Sequence, residues 1–306
     1  ARASADHCPL AGDHSCAVGP SFRSDPGIVI AERLPRVTSV AEYTGLLSPV
    51  GQEHLDSGMI HDLNSGQELT AQQLAERLAQ ASRVLVGEQH DNPDHHALQL
   101  WLLQVLTDRR AQGSLLLEML NPDQQPRVNA VQADFNQSVL REDLPAALAW
   151  QSGWDWALYG PVVRYALSQP YPILSANLDS SEILSIYTQP PAFSGTYSAA
   201  SSVRAQLLQQ IREAHSGLLP EDQIPAMLAV QQQRDRRMAQ SLLAAPTPAV
   251  LFAGAFHVRK DIGVPLHMVD LGETERPVVL LLAQVGARID PASADYVWYT
   301  AASPEA

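Results

Sequence analysis

From Thr70 onward the apolar residues fall into two alternating kinds of run. Thr70 followed by Gln73 is a capping-box pair, and Leu74 and Leu78 then share one helical face, so a helix is predicted there. Arg83–Val86 is a short apolar run closed by Gly87 and reads as a buried strand. Asn92-Pro93 opens a second helix, with proline in the first turn where its missing N–H costs nothing; it carries Leu98, Trp101, Leu102, Val105 and Leu106 inward. Ser114–Leu117, Tyr171–Asn177 and Ala249–Ala253 repeat the short apolar run. Continuous apolar strands alternating with helices predict an α/β fold: a mostly parallel sheet with helices on both faces. Met59–Leu63 reads as a short strand before a turn at Asn64-Ser65-Gly66, and Leu266–Leu271, Val278–Val285 and Tyr296–Thr300 as later strands.

Two segments depart from this alternation. Residues 1–56 are irregular and are expected to form a leader that wraps the surface, leaving 57–306 as the α/β domain. Residues 187–247 hold amphipathic patterns at Val203–Ala214 and Ile224–Leu243 with no evident strand, so a helical insertion or lid is expected there.

Composition narrows the function. The 306 residues are 45% apolar, enough for one large core. The net charge of −13, with no basic cluster, excludes a nucleic-acid binder, which must replace phosphate counterions. It also disfavours an anionic membrane surface. Lys260 is the only lysine. Cys8 and Cys16, the only cysteines, fit a small disulfide in an oxidising compartment, with two free thiols as the alternative. No stretch reaches the ~20 apolar residues that span a bilayer. The opening Ala-Arg-Ala-Ser reads as a processed or truncated start from which an export signal has been removed.

In open parallel sheets, ligands bind beyond the carboxyl ends of the strands. Glu88 and His90 follow the first core strand, Glu118 the second, Asn177 and Asp179 the third, and His257 the fourth. Two Glu and two His from separate rigid elements are what a divalent metal or an acid/base site requires. His95 and His96 sit in a helical first turn, one expected to face the crevice and the other solvent.

The run Gly87-Glu88-Gln89-His90-Asp91-Asn92-Pro93-Asp94-His95-His96 resembles the signature of the ChaN family. So do Leu117-Glu118-Met119, Trp154 to Pro161, Gln231 with Asp235 and Met238-Ala239, and Gly254-Ala255-Phe256-His257 leading into Gly263-Val264-Pro265, in matching order over about residues 57–272. The resemblance implies an iron-regulated lipoprotein of the bacterial cell envelope, periplasmic or on the outer membrane, acting in haem uptake. It implies a homodimer holding haem between its subunits, with tyrosine on the iron and a histidine and a lysine near the propionates.

Carried onto this chain, Tyr159 becomes the candidate iron ligand, its hydroxyl expected at an open crevice; Tyr165 and Tyr187 are weaker candidates. His257, Lys260, Arg259 and His96 become the candidate haem contacts, and Trp154, Trp156 and Phe193 the apolar surface against the porphyrin. Haem-uptake receptor or transporter components are the implied partners. The wider Tiki-like superfamily includes hydrolases, so the alternative is a metal-dependent hydrolase in which Glu88, His90, Glu118 and His257 hold a divalent ion or act directly on water. A third reading is a partner-binding envelope protein with a vestigial pocket.

Overall fold

The structure, a computed structural model, describes residues 55–139, 141–215 and 218–303. The expected leader up to residue 54, and with it Cys8 and Cys16, lies outside the described residues.

The chain forms β1 (Ile60–Asp62), β2 (Glu68–Leu69), α1 (Ala71–Ala79), β3 (Arg83–Glu88), α2 (Pro93–Thr107) and β4 (Ser114–Leu117). There follow α3 (Gln125–Asn136), α4 (Leu144–Ala147), α5 (Trp156–Leu167), β5 (Ile173–Ser175), α6 (Ser180–Thr188), α7 (Ser201–Ala214) and α8 (Ile224–Ala244). Last come β6 (Ala249–Gly254), α9 (Ala255–Val258), α10 (Val264–Asp270), β7 (Val278–Gln284) and β8 (Tyr296–Thr300). The capping box at Thr70 forms as the sequence predicts, and Asn92 caps α2 by accepting from the amides of Asp94 and His95.

Eight strands make one sheet in the order β2-β1-β8-β7-β3-β6-β4-β5. The six strands from β8 to β5 are parallel, and β1 and β2 add an antiparallel edge. Side chains alternate across the sheet and divide the core in two. Val84, Val86, Leu115, Leu117, Val250 and Phe252 face a cluster built on α1, α2 and α5. Leu85, Leu116, Leu251, Val279 and Leu281 face the other way, onto Met238, Ala239 and Leu242 of α8 and Val264 and Met268 of α10. Within the segment read as a helical insertion, the second half of α8 is therefore part of the core, covering the sheet on the way into β6.

The register sets the site. Glu88 pairs with Gly254 at the last position of both strands, and Leu117 pairs with Phe252 one residue before Glu118. Three neighbouring strands thus deliver their C-terminal residues to one rim.

One sequence expectation is corrected. The run 266–271 is not a strand: α10 spans Val264–Asp270. A short apolar run does not by itself distinguish a strand from a buried helix. Here Pro265 fits the first helical turn, and Val264 and Met268, four residues apart, share the buried face.

Candidate functional site

Glu88 ends β3 with its side chain fully buried. Its Oε1 accepts the Tyr159 hydroxyl at 2.8 Å and faces His90 Nδ1 at 2.8 Å. Its Oε2 lies 3.2 Å from His96 Nε2, but that nitrogen pairs with the His90 carbonyl at 2.9 Å, so Oε2 has no hydrogen-bond partner of its own among the described residues. Tyr159 also packs its ring edgewise on His96, and Trp154 packs edgewise on both His90 and Tyr159.

The second half of the site hangs from β4 and β6. Glu118 Oε2 accepts the Gly254 amide at 2.7 Å, while Oε1 lies 3.3 Å from His257 Nε2. His257 Nδ1 lies 2.5 Å from Asp235 Oδ1 on α8, with Gln231 Nε2 at 3.1 Å. Asn177 steadies this half by donating to the Glu118 carbonyl. The two halves meet at Gly254. A Cβ there would stand 3.1 Å from His90 Nε2 and 3.6 Å from Glu118 Oε2, so the glycine keeps open a small space between them.

Electrostatics follows from this packing. Burial alone would strip the His257 proton, but the carboxylates of Glu118 and Asp235, one on each ring nitrogen, outweigh it and hold the imidazolium far above the usual histidine value. Glu118 is likewise buried, yet the His257 cation holds it well below the carboxylate range. Burial lowers His90, and Glu88 more than restores it, leaving it above its ordinary value. Burial and then the charge of Glu88 push the Tyr159 phenol far up, so it stays protonated.

A group raised in the fold contributes stability that is complete below its unfolded value and is lost as pH passes its folded value. His257 is raised from 6.5 to about 10, so melting temperature should fall as pH rises from 7 to 10. The slope should be much weaker in His257→Gln, measured by a thermal melt at each pH; equal slopes would mean that His257 is neutral.

The predicted residues fall into three groups. Glu88, His90, His96, Glu118, Tyr159 and His257 all come together. His95 does not reach solvent as one of the two first-turn histidines was expected to. It is fully buried, with Nδ1 accepting from the Gln89 amide and Nε2 paired with Thr300, and burial presses it down to about 3. Tyr159 lies inside the cluster and not with its hydroxyl at an open crevice, because Asp155 caps α5 and places the tyrosine a turn inside the helix. Lys260 and Arg259 point elsewhere: Lys260 Nζ pairs with Asp295 at 2.7 Å and Arg259 with Asp261. Tyr165 packs on the first core cluster and Tyr187 beside Leu178, Ile183 and Val230. Trp156 packs edgewise against Trp150, and Phe193 edgewise against His267 with the Arg236 guanidinium over its ring.

Among the described residues, no three His, Cys, Asp or Glu side chains converge as a metal site. The carboxyl groups and imidazoles are set against one another: Glu88 faces His90 and His96, and His257 lies between Glu118 and Asp235. The sequence singled out Gln231 with Asp235 through the family resemblance but not their role at His257; their spacing of four on one helix, which points both at one neighbour, is the signal for it.

Beside the buried cluster, α7 and α9 border an open groove of about 210 Å³. Phe256, Arg259 and Ile262 form one wall and Gln206, Gln209, Gln210 and Glu213 the other. Phe256 is 48% exposed, large for an aromatic ring, and Gln210 Oε1 is buried without a partner. Phe256 precedes His257, so the groove and the cluster share one short helix.

The profile of haem-binding uptake proteins, Tiki superfamily, ChaN, matches residues 74–268. Among solved structures, the chain is similar to ChaN of Campylobacter jejuni, described with cofacial haem binding, at 30% identity and a TM-score of 0.73, over 78% of this chain and 95% of that one. An erythromycin esterase in its open conformation is 13% identical with a TM-score of 0.43, over 79% of this chain and 82% of that one. A toxin effector domain from Vibrio vulnificus is 16% identical with a TM-score of 0.45, over 78% of this chain and 39% of that one. Neither of these two likenesses bears on function. No curated protein matches significantly.

Proposed function

This chain belongs to the ChaN family, haem-binding uptake proteins of the Tiki superfamily, and on that footing we propose that it carries haem as cargo in the open groove between α7 and α9, completed by a second copy of itself. The observation that carries this reading is the exposed Phe256 ring on the groove wall that also carries Arg259, whose guanidinium is paired with Asp261. Haem is a flat apolar disc with two anionic propionates, and it needs an aromatic face and a cation next to each other. In an acidic protein a propionate has to compete with Asp261 for that guanidinium, the cation on the groove wall. The side-chain NH2 groups of the glutamines on α7 can donate to a propionate at the polar edge of the disc.

The buried cluster does not suit haem. Glu88, Glu118 and Tyr159 are each 2% exposed, and apart from Glu88 Oε2 their side-chain polar atoms already have partners within the protein. Iron ligation by Tyr159 would require the phenol to lose both its proton and its bond to Glu88. The groove requires neither. Its roughly 210 Å³ is less than the ~300–1,000 Å³ of pockets that enclose a drug-sized ligand, so one copy covers only part of a porphyrin. A second groove closing over the other side gives the dimer. Loose retention on an open face favours handing haem on over keeping it. Such a carrier belongs in the cell envelope, between the components that take up haem and those that receive it.

Titrating the protein with hemin while following the Soret band and the solution mass should show a shifted band together with a doubling of mass. Absence of a Soret shift would overturn the haem reading, and a shift with no change of mass would overturn the shared groove.

A further inference from the structure

The α7–α9 groove carries a charge that works against its own cation. Arg259 stands on its wall, and Asp261, two residues on, takes the side-on edge of the guanidinium: Oδ1 accepts from Nε at 2.9 Å and Oδ2 from Nη2. Glu213 stands on the facing wall. Two carboxylates are thus set against one guanidinium, although an anionic ligand is held best by the reverse.

The pairing is built into a stiff turn. The Gly263 amide donates to the Arg259 carbonyl at 2.9 Å, the Lys260 amide donates to the Ser293 carbonyl at 2.8 Å, and Ile262 is buried. Lys260, beside Asp261 in the chain, does not relieve it, because its ammonium pairs with Asp295 at 2.7 Å. The Arg259 and Asp261 side chains are 24% and 18% exposed, so the pair is only partly screened by water yet within reach of a ligand. Asp261 uses two of the five guanidinium N–H donors. A second carboxylate can meet the others, but it meets a cation whose charge is already largely cancelled.

We infer that Asp261 governs how firmly the groove holds haem: it offsets the Arg259 charge and so keeps a bound propionate loose enough to be handed on. This rests on the haem reading of the groove and adds the residue that controls release. Arg259 touches the propionate, and Asp261 acts only through the charge of Arg259. The effect is confined to ligands with a free carboxylate. A haem whose propionates are esterified presents the same disc and no anion, so Asp261 is indifferent to it.

The test uses the full chain and two probes, hemin and hemin dimethyl ester, each followed by the Soret band. D261N keeps the size of the side chain and one acceptor for the Arg259 Nε–H, so the turn is preserved, and far-ultraviolet circular dichroism checks it. D261N should bind hemin about 10-fold more tightly, the scale of one hydrogen bond to a charged group. Transfer of hemin to an excess of apo-globin should slow by a similar factor, since affinity differences at one site lie mostly in dissociation. R259Q should weaken hemin binding, and R259Q/D261N should match R259Q, because Asp261 then has no cation to offset. Hemin dimethyl ester should bind wild type and D261N within about 2-fold of each other.

Hemin binding that is unchanged or weaker in D261N overturns this inference and leaves the haem reading standing. So does a D261N gain that persists in the R259Q background or extends equally to the dimethyl ester. No Soret shift in either wild type or D261N overturns the haem reading, and this inference with it. A shift seen in D261N alone supports both, with Asp261 as the group that holds hemin off.

Discussion

Replacing Asp235 with alanine is expected to destabilise the protein by about 3–5 kcal/mol, the cost of breaking a buried ion pair from one side. Asp235 is fully buried on α8, and its Oδ1 lies 2.5 Å from His257 Nδ1. Truncation leaves an imidazolium with one N–H facing apolar space. Gln231 cannot take over through its nearby amide nitrogen, since that atom donates and does not accept. The remaining partner of His257, Glu118, is already committed to the Gly254 amide through its other oxygen. Asp235→Asn should fall between wild type and alanine, because an amide oxygen still accepts the bond without supplying the charge. Urea unfolding measures all three. If Asp235→Ala stays within about 1 kcal/mol of wild type, His257 is not held as a cation and the electrostatic picture of the site is wrong.

Gly263→Ala should be comparably damaging for a steric reason. A Cβ at Gly263 would stand 2.1 Å from the His257 carbonyl oxygen and 2.7 Å from its carbon. Both are backbone atoms, so no side chain can rotate away. The turn between α9 and α10 must open, at about 3 kcal/mol or more, the upper end for overpacking. His257 moves with it. Gly272→Ala is the contrast: its φ of +91° strains an alanine, but no atom lies within 4 Å, so about 1–2 kcal/mol is expected. Equal losses in the two variants, measured by denaturant midpoints, would show that the close approach of the Gly263 turn to His257 does not matter.

Much of this fold was legible because its local signals agree with one another. The runs at 83–86, 114–117 and 249–253 became β3, β4 and β6, since strands buried on both faces must be continuously apolar. The rule that ligands meet the C-terminal strand ends then brought Glu88, Glu118 and His257 together before any coordinates. Failure came where period and environment disagree. The 266–271 run has the composition of a strand and the geometry of a helix because α8, not a neighbouring strand, supplies its packing. Tyr159 was expected with its hydroxyl at an open crevice, whereas Asp155 starts α5 a turn before it and carries the hydroxyl inward. The salt-bridge partner of Lys260 could not be read, whereas Asp261, which holds Arg259, is only two positions on. Asp295 lies 35 positions away and is brought near only by the sheet.

The distinction between Phe256 and Tyr159 separates a surface groove from a buried ligand. Hemin titrations of Phe256→Ala and Tyr159→Phe, followed by the Soret band at equal protein concentration, test it most directly. Phe256→Ala should weaken hemin binding by about 10-fold or more, from the ~1.5–3 kcal/mol that burying such a ring contributes. Tyr159→Phe should leave both the affinity and the band position as in wild type, while lowering stability through the lost bond to Glu88. A band lost or shifted in Tyr159→Phe, with Phe256→Ala unchanged, would contradict the groove and place the iron on the tyrosine.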